Sequence, residues 1–244
     1  MYPDLKNKVV IVTGGFQGNG KAIVKNFLLN GSTVYSLDNK FIKSEKKNNL
    51  SKIKIDLTNF EDLEQLIKTI GNKNKKIDVL INNAGITLDY KKYDLSTHWH
   101  KTLDINLHVP YFLINYCKKF LIKSKNPSIV NISSISSKIA MSNNASYNVS
   151  KSGLNALTMS IAHDFAKHKI RVNSICPGYI KTDMTKKSYS SKRLKKIRVQ
   201  RTMTKNYGKP EDVANLAVFL SSTNSRYINA EELIIDGGLI KKGI

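Results

Sequence analysis

The chain has 244 residues, 41% of them hydrophobic, with a formal net charge of +22 at pH 7. That length allows one α/β domain or two small ones, able to bury a core without disulfides or a structural metal. Cys117 and Cys176 stand in no metal-ligand or C-x-x-C pattern, and no apolar run reaches the roughly 18–20 residues of a membrane span.

Met1-Tyr2-Pro3-Asp4 leads straight into a strand pattern without a signal-peptide core, so a soluble, cytoplasmic protein is expected. The positive charge is nearly all lysine, with arginine only at Arg171, Arg193, Arg198, Arg201 and Arg226. It lacks the arginine and aromatic interleaving of nucleic-acid readers. A lysine- and asparagine-heavy composition accounts for most of it, and neither nucleic acid nor membrane is an expected partner.

In chain order, residues 8–13 form a short β-branched run that opens on Gly14-Gly15-Phe16-Gln17-Gly18-Asn19-Gly20. An amphipathic helix pattern (Ala22, Ile23, Phe27, Leu28) follows and closes at Asn30-Gly31. A second strand, 32–37, ends on Asp38. Strand, glycine turn, helix, strand and acid in this order form a dinucleotide-binding unit. The glycines admit a pyrophosphate at the helix N-terminus. Asp38 can accept both ribose hydroxyls and would repel a 2′-phosphate, which favours NAD; Lys40 and Lys43 nearby leave NADP open.

Residues 39–49 read as a polar loop, 52–56 as a third strand, 60–70 as a helix and 78–81 as a fourth strand ending in Asn82-Asn83-Ala84-Gly85. Helical spacing runs from about 96 to 122, and a fifth strand spans 128–132 ahead of Ser133 and Ser134. A long helix covers about 145–167, with Val149, Leu154, Leu157 and Ile161 as apolar positions. A sixth strand at 171–175 precedes Cys176-Pro177-Gly178; a helix at 211–220 and a last strand at 233–235 precede Asp236-Gly237-Gly238. The alternation predicts a Rossmann-type doubly wound parallel sheet of about seven strands, helices on both faces, in one domain. Ligands of such sheets sit at the carboxyl ends of the strands. Gly14, Asp38, Asp56, Asn83, Ser134 and Pro177-Gly178 all fall there.

Tyr147 and Lys151 lie four apart on the long helix and therefore share a face. An ammonium beside a phenol favours the phenolate and lowers its pKa, which suits the pair to general acid–base work.

These motifs resemble the short-chain dehydrogenase/reductase family over almost the whole chain. Thr13-Gly14-x-x-x-Gly18-x-Gly20 looks like its cofactor turn, Asp56-Leu57 its adenine pair, and Asn82-Asn83-Ala84-Gly85 its motif after the fourth strand. Ser134, thirteen residues before Tyr147, and Lys151, four after it, match the catalytic spacing, and Asn106 matches the helix asparagine of the proton relay. Pro177-Gly178 through Ile180 and Thr182 resembles the segment that clamps the nicotinamide carboxamide. The resemblance implies that Tyr147 exchanges a proton with the reacting oxygen and Ser134 stabilises charge on it. It also implies that Lys151 holds the nicotinamide ribose and Asn106 a water, and that the protein is a homotetramer built through the helices at 96–122 and 145–167. Phe16, Gln17, Asn19, Leu57, Ala84 and Gly85 complete the expected cofactor contacts. Asn19 stands where the family has an apolar residue, and Asn229-Ala230 where Thr-Gly or a similar pair is common.

Specificity in the family lies in the segments that are here 182–208 and the 87–99 loop. The first carries Lys186, Lys187, Lys192, Arg193, Lys195, Lys196, Arg198, Arg201 and Lys205 against Asp183. A lid with that field favours an anionic or carrier-linked carbonyl or alcohol substrate. Gly85-Ile86-Thr87-Leu88-Asp89 resembles the loop of 3-oxoacyl carrier-protein reductases. NAD-linked diol, sugar-alcohol or hydroxy-acid dehydrogenases remain the alternative, and a basic nucleotide- or nucleic-acid-binding protein on the same fold is the non-enzymatic one.

Overall fold

The computed structural model describes residues 2–89, 92–140 and 142–242. Eight strands form one sheet: β1 (Val9–Thr13), β2 (Thr33–Asp38), β3 (Glu45–Lys47), β4 (Leu50–Lys54), β5 (Val79–Asn82), β6 (Ser128–Ile132), β7 (Arg171–Pro177) and β8 (Glu232–Ile235). Their order is β3-β4-β2-β1-β5-β6-β7-β8, parallel throughout except for the β3–β4 pair.

The helices are α1 (Gly18–Leu29), α2 (Phe60–Asn74), α3 (Leu95–Leu103), α4 (Val109–Leu121), α5 (Ala145–Phe165), α6 (Lys186–Ser190), α7 (Lys192–Arg201) and α8 (Pro210–Ser221). Successive strand residues point to opposite faces, and β1 divides its side chains accordingly. Val10 and Val12 pack with Ile23 and Phe27 of α1 and Val213 and Ala217 of α8. Val9 and Ile11 pack with Leu63 of α2, Leu113 of α4 and Ile161 of α5. A strand buried on both faces reads as a continuous apolar run, which is why VVIVT shows no polar alternation.

Three features depart from expectation. The strand count is eight, because part of the lysine-rich 39–49 stretch pairs antiparallel to β4 as β3. Its residues Glu45, Lys46 and Lys47 are exposed, and the charges discourage further pairing at this edge. The helical stretch at 96–122 is interrupted between α3 and α4 by a π turn, Asp104–His108; such turns gather at functional positions. On α5, Val149 is 46% exposed while Ser146, Ser150 and Lys151 are buried. The first two turns of the helix thus turn polar residues inward, with Lys151 at the end of β6, while its later turns bury apolar ones.

Candidate active site

The chain between β1 and α1 folds into a turn that a side chain would block. Gly14 has φ +66°, and a Cβ at Gly20 would stand 2.0 Å from the Gly14 carbonyl oxygen. Asn83, at the end of β5, holds this turn from the neighbouring strand. Its Nδ2 donates to the carbonyls of Thr13 (2.9 Å) and Gly14 (3.1 Å), while Thr13 Oγ1 accepts from the amides of Asn83 and Ala84, both at 3.0 Å. Gly15 also belongs to the turn, since a Cβ there would lie 2.1 Å from Ser36 Oγ. Motif spacing alone does not single it out; only the neighbouring β2 side chain does.

The N-cap of α1 is Gln17, whose side chain caps nothing. The first amides of the helix are therefore left for a ligand, together with the positive end of its dipole. Gln17, Gly18 and Asn19 line a cleft of about 580 Å³ along the carboxyl ends of the strands. Asn19, in place of an apolar residue, buries its Oδ1 without a partner. Phe16 and Gly20 stand outside the cleft wall: Gly20 lies beneath the turn, and Phe16 packs edge-on against Phe41 with ring centroids 5.6 Å apart.

Asp38 closes β2 at the cleft. Its Oδ2 accepts from the Phe16 amide (3.0 Å) and its Oδ1 from the Lys40 amide (2.9 Å). A carboxylate has about four acceptor positions, so capacity remains for a ligand's hydroxyls. Asp56 and Leu57 also line this end, with Asp56 Oδ1 accepting from the Thr58 amide and hydroxyl at 2.9 and 2.7 Å.

Behind the cleft wall, next to Ile105 that lines it, Asn106 sits in the π turn with 0% exposure. Its side chain clamps Ile86 both ways: Oδ1 accepts from the Ile86 amide (2.8 Å) and Nδ2 donates to the Ile86 carbonyl (2.9 Å). Nδ2 also donates to Ser150 Oγ at 3.0 Å, so both its hydrogens are engaged with protein. Gly85 leaves room here, since a Cβ on it would lie 3.3 Å from Lys151 Nζ and 3.4 Å from Asn106 Oδ1.

Ser134, Tyr147 and Lys151 share the same wall. Ser134 follows β6 in extended geometry and its Oγ accepts from the Ser136 amide at 3.1 Å, capping a short 3-10 turn. Ser133, which also lines the cleft, spends its hydroxyl on the Lys151 carbonyl at 3.1 Å. Burial raises the Tyr147 phenol above its ordinary pKa, and a hydrogen bond with the Ser134 hydroxyl opposes that rise. Lys151 is 3% exposed and donates to the Ile132 carbonyl at 2.8 Å, with its Nζ 5.8 Å from the Tyr147 ring centre. Burial lowers its pKa to about 8, while the neighbouring Cys176 acts in the opposite direction.

The far wall comes from the chain after β7. Pro177, Gly178, Ile180 and Thr182 line the cleft, and Ile180 pairs with Gly208 in an isolated parallel bridge that joins the two ends of the 182–208 segment. Gly178 admits Asp236, whose Cα would lie 2.7 Å from a Cβ there. Asp236 in turn accepts from the Gly238 and Ile240 amides, both at 2.8 Å. Of the 87–99 loop, Tyr90 and Lys91 lie outside the described residues. Thr87 lines the cleft and exchanges hydrogen bonds with Asn144, which sequence patterns did not point to. Trp99 belongs to α3 and lies outside the cleft wall.

A nicotinamide dinucleotide fits this wall. The uncapped start of α1 suits a pyrophosphate, and the spare acceptor positions of Asp38 suit a ribose. Among the described residues no group of acidic, histidine and cysteine side chains could hold a metal, and no helix is long and apolar enough to cross a membrane.

A family model described as Enoyl-(Acyl carrier protein) reductase matches residues 15–240. The 3-oxoacyl-(acyl-carrier-protein) reductase FabG of Chlamydia pneumoniae is 36% identical, the match covering 96% of this chain and 98% of the relative. The NAD-dependent glycerol dehydrogenase of Listeria innocua is 33% identical over 96% of this chain and 94% of its own. Among solved structures, ligand-free aldohexose dehydrogenase from Thermoplasma acidophilum superposes with a TM-score of 0.91 at 32% identity, covering 100% of this chain and 98% of that one. The chain belongs to the short-chain dehydrogenase/reductase family, NAD(P)-dependent oxidoreductases acting on CH–OH groups.

Proposed function

We propose that this enzyme interconverts a ketone and a secondary alcohol with NAD in preference to NADP, on an anionic or carrier-linked substrate such as a 3-oxoacyl thioester. The observation that carries the reading is the meeting of Ser134, Tyr147 and Lys151 on the wall that also holds the glycine turn and Asp38. The nicotinamide supplies hydride transfer when bound, and the protein supplies position and proton handling. Tyr147, kept protonated by burial, donates a proton from its hydroxyl to the substrate oxygen during reduction and removes one from the alcohol in reverse. Ser134 donates a hydrogen bond to the same oxygen as charge develops there. Lys151, buried and bonded through its Nζ to the Ile132 carbonyl, would hold the nicotinamide ribose. Asn106 positions Ile86 and the floor beneath Lys151.

Asp38 supports NAD, because its carboxylate is already fixed by two amides at the ribose end and would repel a 2′-phosphate. One continuous sheet from β1 to β8 supports a one-domain chain with a basic lid at 182–208. Tyr111 on α4 (47% exposed) and Val149 and Met159 on α5 (46% and 62%) leave apolar surface on the helices expected to build a homotetramer. Asp38 together with the Listeria innocua relative favours a second reading, an NAD-dependent diol, sugar-alcohol or hydroxy-acid dehydrogenase.

NADH and NADPH titrations followed by nicotinamide fluorescence, and turnover of Tyr147→Phe, test the proposal. Tighter NADH binding and a kcat lowered by roughly 10²–10⁴-fold in the variant are expected. A variant within tenfold of wild type, or tighter NADPH binding, overturns the corresponding part.

A further inference from the structure

The lid carries nine basic residues between Lys186 and Lys205, yet among the described residues only one of them, Arg198, lines the cleft with Ser134 and Tyr147. Its guanidinium is held rather than free. The central carbon stands 4.7 Å over the Tyr179 ring, and one nitrogen donates to Ser188 Oγ at 2.6 Å. That hydroxyl is buried, donates to the Thr185 carbonyl at 2.7 Å and receives the Tyr207 hydroxyl at 3.3 Å. Tyr179 and Tyr207 are themselves buried, with ring centres 5.9 Å apart. The side chain therefore rests on a packed aromatic platform.

No carboxylate forms an ion pair with Arg198 among the described residues. Asp183 also borders the cleft but is exposed and unpaired with it. A guanidinium carries five N–H donors in a fixed planar fork that matches a carboxylate or a phosphate two-to-two. One donor is engaged with Ser188, and an edge of the fork is left to meet a ligand.

We infer that Arg198 is the specificity residue of this enzyme, taking the carboxylate or phosphate of its substrate directly, while the remaining lid charge acts only as a field. The inference rests on the cleft being the oxidoreductase site proposed above. It narrows the substrate class to oxo or hydroxy compounds whose anionic group lies within the cleft, as opposed to those recognised through a distant acidic carrier.

The test uses the full chain and two matched pairs of ketones with NADH: acetoacetate against ethyl acetoacetate, and dihydroxyacetone phosphate against dihydroxyacetone. The first pair reads carboxylate recognition and the second phosphate. Wild type is expected to favour the anionic member of at least one pair in kcat/KM. Arg198→Met is expected to lower that anionic-to-neutral ratio by about 10- to 100-fold, the loss of a charge-assisted hydrogen-bonded contact, and mainly through KM. Arg198→Lys, which keeps the charge without the fork, is expected to recover part of it. Lys195→Met, a lid cation outside the cleft wall, is expected to leave the ratio within twofold of wild type.

Three outcomes overturn the inference: a wild type with no anionic preference in either pair, a preference that survives Arg198→Met, or an equal loss in Lys195→Met. NADH binding measured on the same preparations separates the two levels. Binding without anionic preference removes the role of Arg198 alone, whereas absence of NADH binding and of all turnover removes the underlying reading as well.

Discussion

Lys151→Met should make the nucleotide-free protein more stable while abolishing its activity. Lys151 is buried with one hydrogen bond, and its pKa falls from the ordinary 10.5 to about 8 because an ammonium is poorly solvated there. At about 1.4 kcal/mol per pH unit, the fall corresponds to about 3 kcal/mol of stability forgone at pH 7. The methionine loses the bond to the Ile132 carbonyl, a loss of about 1 kcal/mol. The net gain is about 2 kcal/mol, or a Tm higher by about 4–8 °C in a chain of this size. Its pH dependence has a definite sign. Below pH 8 the lysine is protonated in both folded and unfolded chains, and the whole penalty stands. Between pH 8 and 10.5 the folded chain releases a proton that the unfolded chain keeps, so wild-type stability rises relative to the variant. Urea unfolding of both proteins at pH 7 and pH 10, without nucleotide, reads the difference. A variant no more stable at pH 7, or a gap equal at both pH values, refutes the reasoning.

Ala230 occupies the left-handed region at φ +62°, at a position where the family commonly has glycine, and its amide bonds the Val172 carbonyl at 2.9 Å. Ala230→Gly relieves about 1–2 kcal/mol of backbone strain against about 0.4–1 kcal/mol of added unfolded-chain entropy. Its Tm is expected to rise by about 2 °C in a thermal melt, and an unchanged or lower Tm counts against the strain. Gly20→Ala sets a Cβ 2.0 Å from the Gly14 carbonyl oxygen, which forces the turn to move. NADH affinity is expected to fall at least about tenfold in a fluorescence titration, with an overpacking penalty of about 1–3 kcal/mol in stability. Wild-type affinity in that variant would show that the turn does not hold the pyrophosphate.

The order of strands and helices, and the placing of Gly14, Asp38, Asn83, Ser134 and Pro177 at strand ends, were legible in the amino-acid sequence. These are local signals. A β-branched run buried on both faces, an apolar stripe at helical spacing and a glycine turn each declare themselves within a dozen residues. The π turn around Asn106 was not legible, because one extra residue per turn barely disturbs the apolar spacing of 96–122. Nor was the burial of Ser146, Ser150 and Lys151 on α5 with Val149 exposed, since partners at His98 of α3, Asn106 of the π turn and Ile132 of β6 decide it.

The sequence by itself determined the seven parallel strands, the cover of helices on both faces and the residues gathered along the carboxyl edge, but not the antiparallel β3. Tertiary structure decided which of the nine cations between residues 186 and 205 lines the cleft, and that burial raises the Tyr147 phenol while the Ser134 hydroxyl opposes the rise. Periodicity records which side of an element avoids water. Contacts and burial between elements distant in the chain set charge, reach and pKa, and only the folded chain brings those elements together.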